Sequence, residues 1–181
     1  MSKMAARGRL EDALAEFLAK QELHDLVVGL HRGFDRLDDD LIVSSLASPF
    51  RYGLRVGLTP LEFAAHVRRM HTVDLEPTGL RLRYTQHALT NERYEIDGDV
   101  AYGECYAKFH GVTTDGRLIT NVMRYVDRYV RVDGSWRLAE RDPLIEWASP
   151  EFAPFVAQLP HASRRDRDDL SYRRDTGNQP A

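Results

Sequence analysis

Histidine and aspartate are the side chains in this sequence best suited to moving a proton, and His87 stands out among them. It lies in the stretch YTQHALTN, residues 84 to 91, whose composition is typical of a β-strand. Imidazole changes charge near neutral pH, so it can act as a general base when an acidic partner orients it. Without such a partner, a histidine in a half-buried strand is an ordinary core or rim residue. The role of His87 therefore depends on what the fold places beside it.

The run after His87, residues 99 to 112, also reads as a strand and sends alternate side chains to opposite faces. The more apolar face is predicted to point inward and carries Ala101, Gly103, Cys105, Ala107 and Phe109. The opposite face includes Tyr102 and ends in His110. His110 becomes a second candidate for chemistry only if this assignment is reversed.

Several established kinds of site are excluded by spacing. The sequence contains no HExxH, no glycine-rich phosphate loop and no GxSxG elbow. Cys105 is the only cysteine, so neither an intrachain disulfide nor a thiolate metal cluster can form. His66 and His71 are five positions apart, a poor spacing for two ligands on one helical face. We therefore expect no metal and no cofactor.

Composition indicates a single globular domain with no nucleic-acid or membrane partner. Of 181 residues, 43% are hydrophobic and 29% charged. The net charge is -3, and the 25 Lys and Arg are dispersed, whereas nucleic-acid binding requires concentrated positive charge. The terminal run RRDRDDLSYRRD mixes acids with arginines and is predicted to be a solvated tail. No apolar run approaches the ~20 residues that span a bilayer. With one cysteine and no export signal, we expect a cytoplasmic protein.

The order of predicted elements indicates an α+β fold. Apolar residues with helical period predict a long helix from Leu10 to about Phe34, and a short helix follows with Asp38 or Asp39 as its N-cap. PFRYGLRVG reads as a short strand. TPLEFAAHVRRMH opens with Thr59 and Glu62 in a capping-box pattern, which predicts a further helix.

Three Asp-Gly turns then separate four antiparallel strands, and a short helix ends the ordered part. The predicted strands cover residues 81 to 96, 99 to 112, 118 to 132 and 135 to 146. Such a sheet would curve around the first helix and leave a cavity at its open end, where small ligands commonly bind. The expected domain covers residues 1 to 147, with a flexible segment at 1 to 9. Residues 148 to 181 would form the short helix and a mobile polar tail.

Three segments together resemble the SnoaL-like branch of the nuclear transport factor two-like superfamily, over about residues 10 to 147. They are VVGLHRGFDRLDDDLIVSSLASPF, YTQHALTNERYEIDGDVAYGECY and RYVDRYVRVDGSWRLAERDPLIEW. The resemblance implies a cone-shaped α+β barrel with an interior pocket. Its members range from scytalone dehydratase, bile acid dehydratase, hexachlorocyclohexane dehydrochlorinase and polyketide cyclases to non-catalytic β subunits of ring-hydroxylating dioxygenases. The fold alone therefore does not settle the function.

The resemblance implies catalytic roles for four residues. Asp35, at the end of the first long helix, matches the aspartate that holds the catalytic histidine, and His87 matches that histidine as general base. His110 matches a second histidine of the scytalone dehydratase arrangement. Arg141 falls near an arginine directed at substrate in the dehydrochlorinases. Its alternative is a surface residue paired with its neighbours in the sequence.

One departure from the family and four further candidates complete the predicted site. Relatives tend to carry a tyrosine about one turn before the aspartate, where this chain has Leu30 and His31, so a tyrosine-assisted step is not carried over. His31 shares a helix face with Asp35 and competes with His87 for its carboxylate. The candidates for binding substrate through hydrogen bonds are His31, Tyr52, Tyr84 and Asn121.

Two classes of function follow. The first is a cofactor-independent lyase, isomerase or cyclase of dehydratase type, acting on a hydrophobic, ring-containing small molecule. The second is a non-catalytic binding or assembly subunit, like a dioxygenase β subunit. Because relatives commonly associate through the outer face of the sheet, we also expect a homodimer or homotrimer.

Overall fold

Four long antiparallel strands fill the second half of the chain, as the Asp-Gly turns predict. The computed structural model describes residues 3–72, 75, 78–159 and 161–173. Glycines at positive φ, Gly98 at 59° and Gly134 at 78°, close two of the turns between strands. The long strands are β3 (Leu82–Asp97), β4 (Val100–Thr113), β5 (Leu118–Val132) and β6 (Ser135–Ala148).

Two short strands complete a six-stranded sheet with the order β2-β1-β6-β5-β4-β3. β1 (Leu46–Tyr52) and β2 (Arg55–Leu58) form a hairpin where the sequence predicted one strand. β1 pairs in parallel with β6. The sheet curves but does not close, because β2 and β3 are its two edges. The expected barrel is therefore an open sheet with helices on its concave side, and the α+β prediction is confirmed.

Three helices precede the long strands. α2 (Asp39–Ser45) begins after Asp38, whose carboxylate accepts from the Leu41 N–H at 3.1 Å. α3 (Pro60–Thr72) opens with the predicted capping box. There the Glu62 carboxylate accepts from the Thr59 N–H at 2.8 Å, and the Thr59 hydroxyl accepts from the Glu62 N–H at 3.2 Å.

The first helix, α1 (Lys3–Arg36), is longer than predicted, and its two halves differ. The helix begins at Lys3, so residues 3 to 9 are helical where a flexible segment was expected. Its second half packs into the core of the sheet through Leu23, Val27, Leu30 and Phe34. In its first half the large apolar side chains are exposed, so the predicted buried stripe starts too early. We call residues 7–18 the α1 arm; its exposed apolar side chains are Leu10, Leu14, Phe17 and Leu18.

The chain after β6 turns back over the sheet. A 3₁₀ turn (Pro150–Phe152) and α4 (Ala153–Val156) lie at the open end. Residues 161–173, here called the C-terminal strap, then cross the outer face. Asp169 of the strap is 1% exposed, so the prediction of a solvated, mobile tail is wrong for this part of it. The rest of the tail, residues 174–181, lies outside the described residues. In the part of the chain that the structure describes, no helix is long and apolar enough to cross a membrane.

Candidate active site

Asp35 and His87 are in direct contact, as the resemblance implies. Asp35 lies in the last turn of α1 and His87 in β3, and the ring Nδ1 of His87 lies 2.7 Å from Asp35 Oδ1. The backbone N–H of His87 donates to Asp35 Oδ2 at 2.9 Å. The Thr85 hydroxyl also donates to Asp35 Oδ1, at 3.0 Å. The carboxylate therefore holds His87 by both its ring and its backbone.

This contact fixes the protonation of the pair. Burial on its own would raise the pKa of Asp35, but the hydrogen bonds from His87 and Thr85 outweigh it and lower that pKa. Asp35 is therefore a carboxylate at neutral pH and can only accept. His87 must carry its proton on Nδ1, which leaves a lone pair on Nε2. An imidazole in this state can accept a proton, and Asp35 stabilises the resulting charge.

His87 lies in the wall of an apolar pocket between α3, the inner face of the sheet and α4. The space open to the centre of a water molecule is about 70 Å³, so the pocket is narrow. It suits a small, flat, hydrophobic molecule better than a bulky one. Its apolar lining includes Phe34, Phe63, Val67, Phe109, Met123, Ile145 and Phe152.

Three polar side chains besides histidines also line this pocket. Asn121 is 1% exposed, and its side-chain oxygen has no hydrogen-bond partner among the described residues. Burial raises the pKa values of Tyr52 and Tyr125, so both hydroxyls stay protonated and can donate. Tyr52 and Asn121, two of the predicted substrate-binding candidates, thus line the pocket. A buried, unpaired amide oxygen is costly unless a ligand or water satisfies it.

Arg141 is buried beneath the pocket and does not line it. Its guanidinium forms a bidentate pair with Asp127, at 2.8 and 2.7 Å, and lies 4.0 Å from the centre of the Tyr125 ring. The expectation that Arg141 faces substrate is therefore wrong, and so is its alternative as a surface residue paired with Glu140 or Asp142. Arg141 pairs with Asp127 because the two residues lie directly opposite each other on the neighbouring strands β5 and β6.

His31 does not bind Asp35. Its Nδ1 donates to the Val27 carbonyl at 2.8 Å, so its Nε2 can only accept, and Arg141 donates to it at 3.2 Å. Burial and the nearby Arg141 charge hold the pKa of His31 well below its usual value. With both ring nitrogens occupied and no place in the pocket wall, His31 is a structural residue rather than a substrate ligand.

His110 and Tyr84 lie outside the pocket. The inward face of β4 is the predicted one, with Cys105 and Phe109 buried, so His110 points to the outer face and lies 3.3 Å from the Thr120 hydroxyl. Tyr84 is 62% exposed. The predicted catalytic role of His110 and the predicted binding role of Tyr84 are therefore wrong, because strand alternation sends both away from the cavity.

Sequence reasoning missed three residues near the site: His71, Tyr125 and Asp127. His71 lies one helical turn after Val67 and lines the pocket beside it, so the apolar face of α3 was the signal that could have found it. Tyr125 and Asp127 share the inner face of β5 with Asn121. In the described ranges, no group of three or more His, Cys, Asp or Glu side chains could hold a metal ion.

Comparison with known proteins identifies the family. A model of the SnoaL-like domain matches residues 15–142, which is most of the chain, and the chain therefore belongs to the SnoaL-like family. No curated protein sequence matches it significantly.

Solved structures share its fold at low identity. A Kribbella flavida protein, Kfla4162, is 17% identical, with a TM-score of 0.65, covering 75% of this chain and 96% of its own. The hexachlorocyclohexane dehydrochlorinase LinA-type3 of Novosphingobium barchaimii is 22% identical, with a TM-score of 0.62, covering 77% and 92%. A scytalone dehydratase candidate from Novosphingobium aromaticivorans is 13% identical, with a TM-score of 0.62, covering 77% and 90%. At these identities the likeness establishes the fold.

Proposed function

We propose that this protein is a cofactor-independent lyase, isomerase or cyclase that acts on a small, hydrophobic, ring-containing molecule. One observation carries the proposal. The Asp35 carboxylate holds the ring of His87 at 2.7 Å and leaves its other nitrogen as a base in the wall of an apolar pocket. This is the arrangement that general-base catalysis requires.

In the proposed reaction, His87 Nε2 removes a proton from a carbon next to a carbonyl or a leaving group. The bonding pair released at carbon forms an enolate or expels the leaving group. Asp35 stabilises the imidazolium, and the hydroxyls of Tyr52 and Tyr125 can donate to the developing negative charge. The unpaired amide oxygen of Asn121 would orient the ring. The proton then returns to the product from His87 or passes to water.

Two structural neighbours support this class of reaction. A dehydrochlorinase and a dehydratase both remove a proton and a leaving group from neighbouring carbons. The alternative is a non-catalytic binding or assembly subunit. The small free space in the pocket favours this alternative, because a pocket filled by side chains leaves little room for a substrate.

Replacement of His87 and Asp35 tests the proposal. We expect His87→Ala to lower the rate by ~10² to 10⁴-fold, the usual contribution of a positioned base. Asp35→Asn should also be impaired, because an amide offers one accepting oxygen for two N–H donors, the ring and the backbone of His87. One of the two donors would then face an NH₂ group. If that donor is the ring, Nδ1 would lose its proton to Nε2, which is the wrong tautomer for a base.

The measurement is exchange of α-protons of cyclic ketones, such as 1-indanone, with deuterated water, followed by NMR. His110→Ala is the matched control, since it removes a histidine from the outer face of the sheet and should leave the rate unchanged. Unchanged exchange in a folded His87→Ala protein would contradict the proposal. A wild type without exchange activity, but with saturable ketone binding, would favour the binding subunit.

A further inference from the structure

A second histidine, His71, lines the same pocket and takes no part in the proposed reaction. It lies in the last turn of α3, and its ring centre is 6.4 Å from that of His87, with the two planes at 78°. The pocket thus presents two imidazoles to a bound molecule from two different elements. Only one of them has a carboxylate partner.

The local contact of His71 fixes its tautomer. Its Nδ1 lies 2.8 Å from the Val67 carbonyl, which can only accept, so Nδ1 carries the proton. The Nε2 atom then has a lone pair, and it has no hydrogen-bond partner among the described residues. A molecule in the pocket would therefore meet an acceptor at this position.

The surroundings of His71 make it a poor second base. Burial, helped by the charge that His87 can carry, lowers the pKa of His71. The hydrogen bond to the Val67 carbonyl and the Asp35 carboxylate oppose this but do not outweigh it. The other basic residues on its own helix are His66, Arg68 and Arg69, and none of them lines the pocket. His71 therefore stays neutral when His87 takes a proton, and it keeps its accepting nitrogen throughout.

We propose that His71 Nε2 is a specificity site that accepts a hydrogen bond from a hydroxyl group on the substrate ring. The substrate class would then be hydroxylated rings, bound between α3 and the sheet, with the reacting carbon at His87. The catalytic part of this assignment rests on the proposed function, whereas the binding part does not.

The experiment compares phenol with anisole, its methyl ether, which has the same ring and no donor. We titrate each into protein labelled with ¹⁵N-histidine and record long-range ¹H–¹⁵N NMR spectra. Phenol should shift the Nε2 resonance of His71 and bind about three- to tenfold more tightly than anisole, the range expected for one net hydrogen bond.

Variants assign that preference to His71. His71→Phe should reduce the ratio of the two dissociation constants to near one, and His71→Gln, which keeps an acceptor, should retain part of it. His66→Phe is the control on the same helix outside the pocket and should retain the wild-type ratio. An unchanged ratio in His71→Phe would overturn the proposal. So would a His71 Nε2 resonance that phenol leaves in place, whether or not phenol binds elsewhere.

The result separates this inference from the proposed function. If the phenol preference depends on His71 but His87→Ala leaves proton exchange unchanged, the specificity site stands and the base is elsewhere. If exchange needs His87 but the phenol preference survives His71→Phe, the base stands and the specificity site fails.

Discussion

The Arg141–Asp127 pair is the most deeply buried charge pair among the described residues near the site, and both partners are almost inaccessible to water. Transferring two charges from water is costly, and only good geometry with further hydrogen bonds offsets the cost. Asp127 also accepts from the Tyr129 hydroxyl at 2.7 Å, and Arg141 donates to His31. The pair therefore packs beneath Tyr125, which lines the pocket, and does not itself contact a bound molecule.

This geometry predicts a large effect on stability when one partner is removed. Arg141→Met should lower the free energy of unfolding by about 3 to 5 kcal/mol, because Asp127 is left buried and unpaired. Adding Asp127→Asn should recover part of the loss, since a neutral amide can still accept from Tyr129. Urea unfolding monitored by fluorescence measures both variants. Arg117→Met, which removes an exposed ion pair, should change stability by less than about 1 kcal/mol. A loss of that size in Arg141→Met would contradict the argument.

The contact that the sequence predicted and the contacts that it missed arise in different ways. Asp35 and His87 could be matched to a family pattern position by position. Asp127 meets Arg141 only because β5 and β6 pair in one particular register, and single-sequence patterns do not reveal which residues lie opposite each other. His110 failed for the opposite reason. The match of His110 to a family position predicted an inward side chain, whereas strand alternation predicted an outward one. The structure follows strand alternation.

At the level of elements, β4 passes close beneath two tyrosine rings at Gly103. A Cβ atom placed on Gly103 would lie 2.8 Å from Tyr129 Cε2 and 3.0 Å from Tyr94 Cδ1. Both rings are buried in the core between the sheet and α1. The absence of a side chain at Gly103 is therefore what allows the two rings to pack there.

Gly103→Ala should destabilise the protein by about 1 to 3 kcal/mol, the usual cost of overpacking a core. Thermal unfolding followed by circular dichroism measures the change. Gly29→Ala in α1 is the control, because a Cβ atom there meets nothing within 4 Å and alanine favours a helix. We expect that variant to be at least as stable as wild type. Equal stability of Gly103→Ala and wild type would show that the rings can move apart without cost.

The strands and the capped helix could be predicted within one or two residues because their signals are local: Asp-Gly turns, alternation and the Thr59–Glu62 box. The β1–β2 hairpin and the parallel pairing of β1 with β6 could not, because their partners are distant in sequence. The α1 arm was misread for a related reason. Its apolar period is helical, but periodicity does not state whether another element covers the face.

At the level of the whole molecule, the C-terminal strap contacts the sheet through Ala162, Ser163 and the buried carboxylate of Asp169. Asp169 binds the Arg124 guanidinium through both oxygens, at 2.8 and 2.7 Å, and also accepts from Ser171 and from the Arg164 backbone. Burial opposes ionisation of Asp169, but these hydrogen bonds outweigh it and lower its pKa. Glu104 and Glu146 share the same arginine.

A lowered pKa predicts how the strap responds to acid. The stabilisation from Asp169 is fully present above the unfolded-state pKa of about 4 and is lost as pH falls through the lower folded-state value. Asp169→Asn should therefore be less stable than wild type at pH 7, and the difference should shrink below about pH 4. Urea unfolding at pH 7, 4 and 2 measures it. Asp168→Asn, an exposed neighbour, should show little difference at any pH. A gap between Asp169→Asn and wild type that does not narrow in acid would contradict this assignment.

The expected homo-oligomer requires a surface through which the copies associate, and the position of the strap bears on which surface that is. Because the strap crosses the outer face of β5, association through that face is obstructed. The α1 arm instead exposes a stripe of four large apolar side chains. Helical segments of this length are marginal in water without packing. We therefore expect two or three copies to associate through their arms.

Light scattering at micromolar concentration should give a multiple of 20.8 kDa. The double variant Leu14→Glu/Phe17→Glu should shift the mass to that of one chain. Leu54→Glu, at an exposed apolar position in the β1–β2 turn, is the control and should leave the mass unchanged. A wild-type mass near 20.8 kDa would contradict the expectation.

Strand β5 serves two purposes on its two faces. Its inward residues include Asn121 and Tyr125 in the pocket, and its outward Arg124 anchors the strap. Successive positions of β5 thus have different structural roles. A point substitution at an inward position can change what the pocket accepts while the outer scaffold stays intact. An insertion or deletion of one residue would exchange the two faces and lose both at once. Along this strand, substitutions can therefore produce new substrate preferences, whereas changes in length cannot.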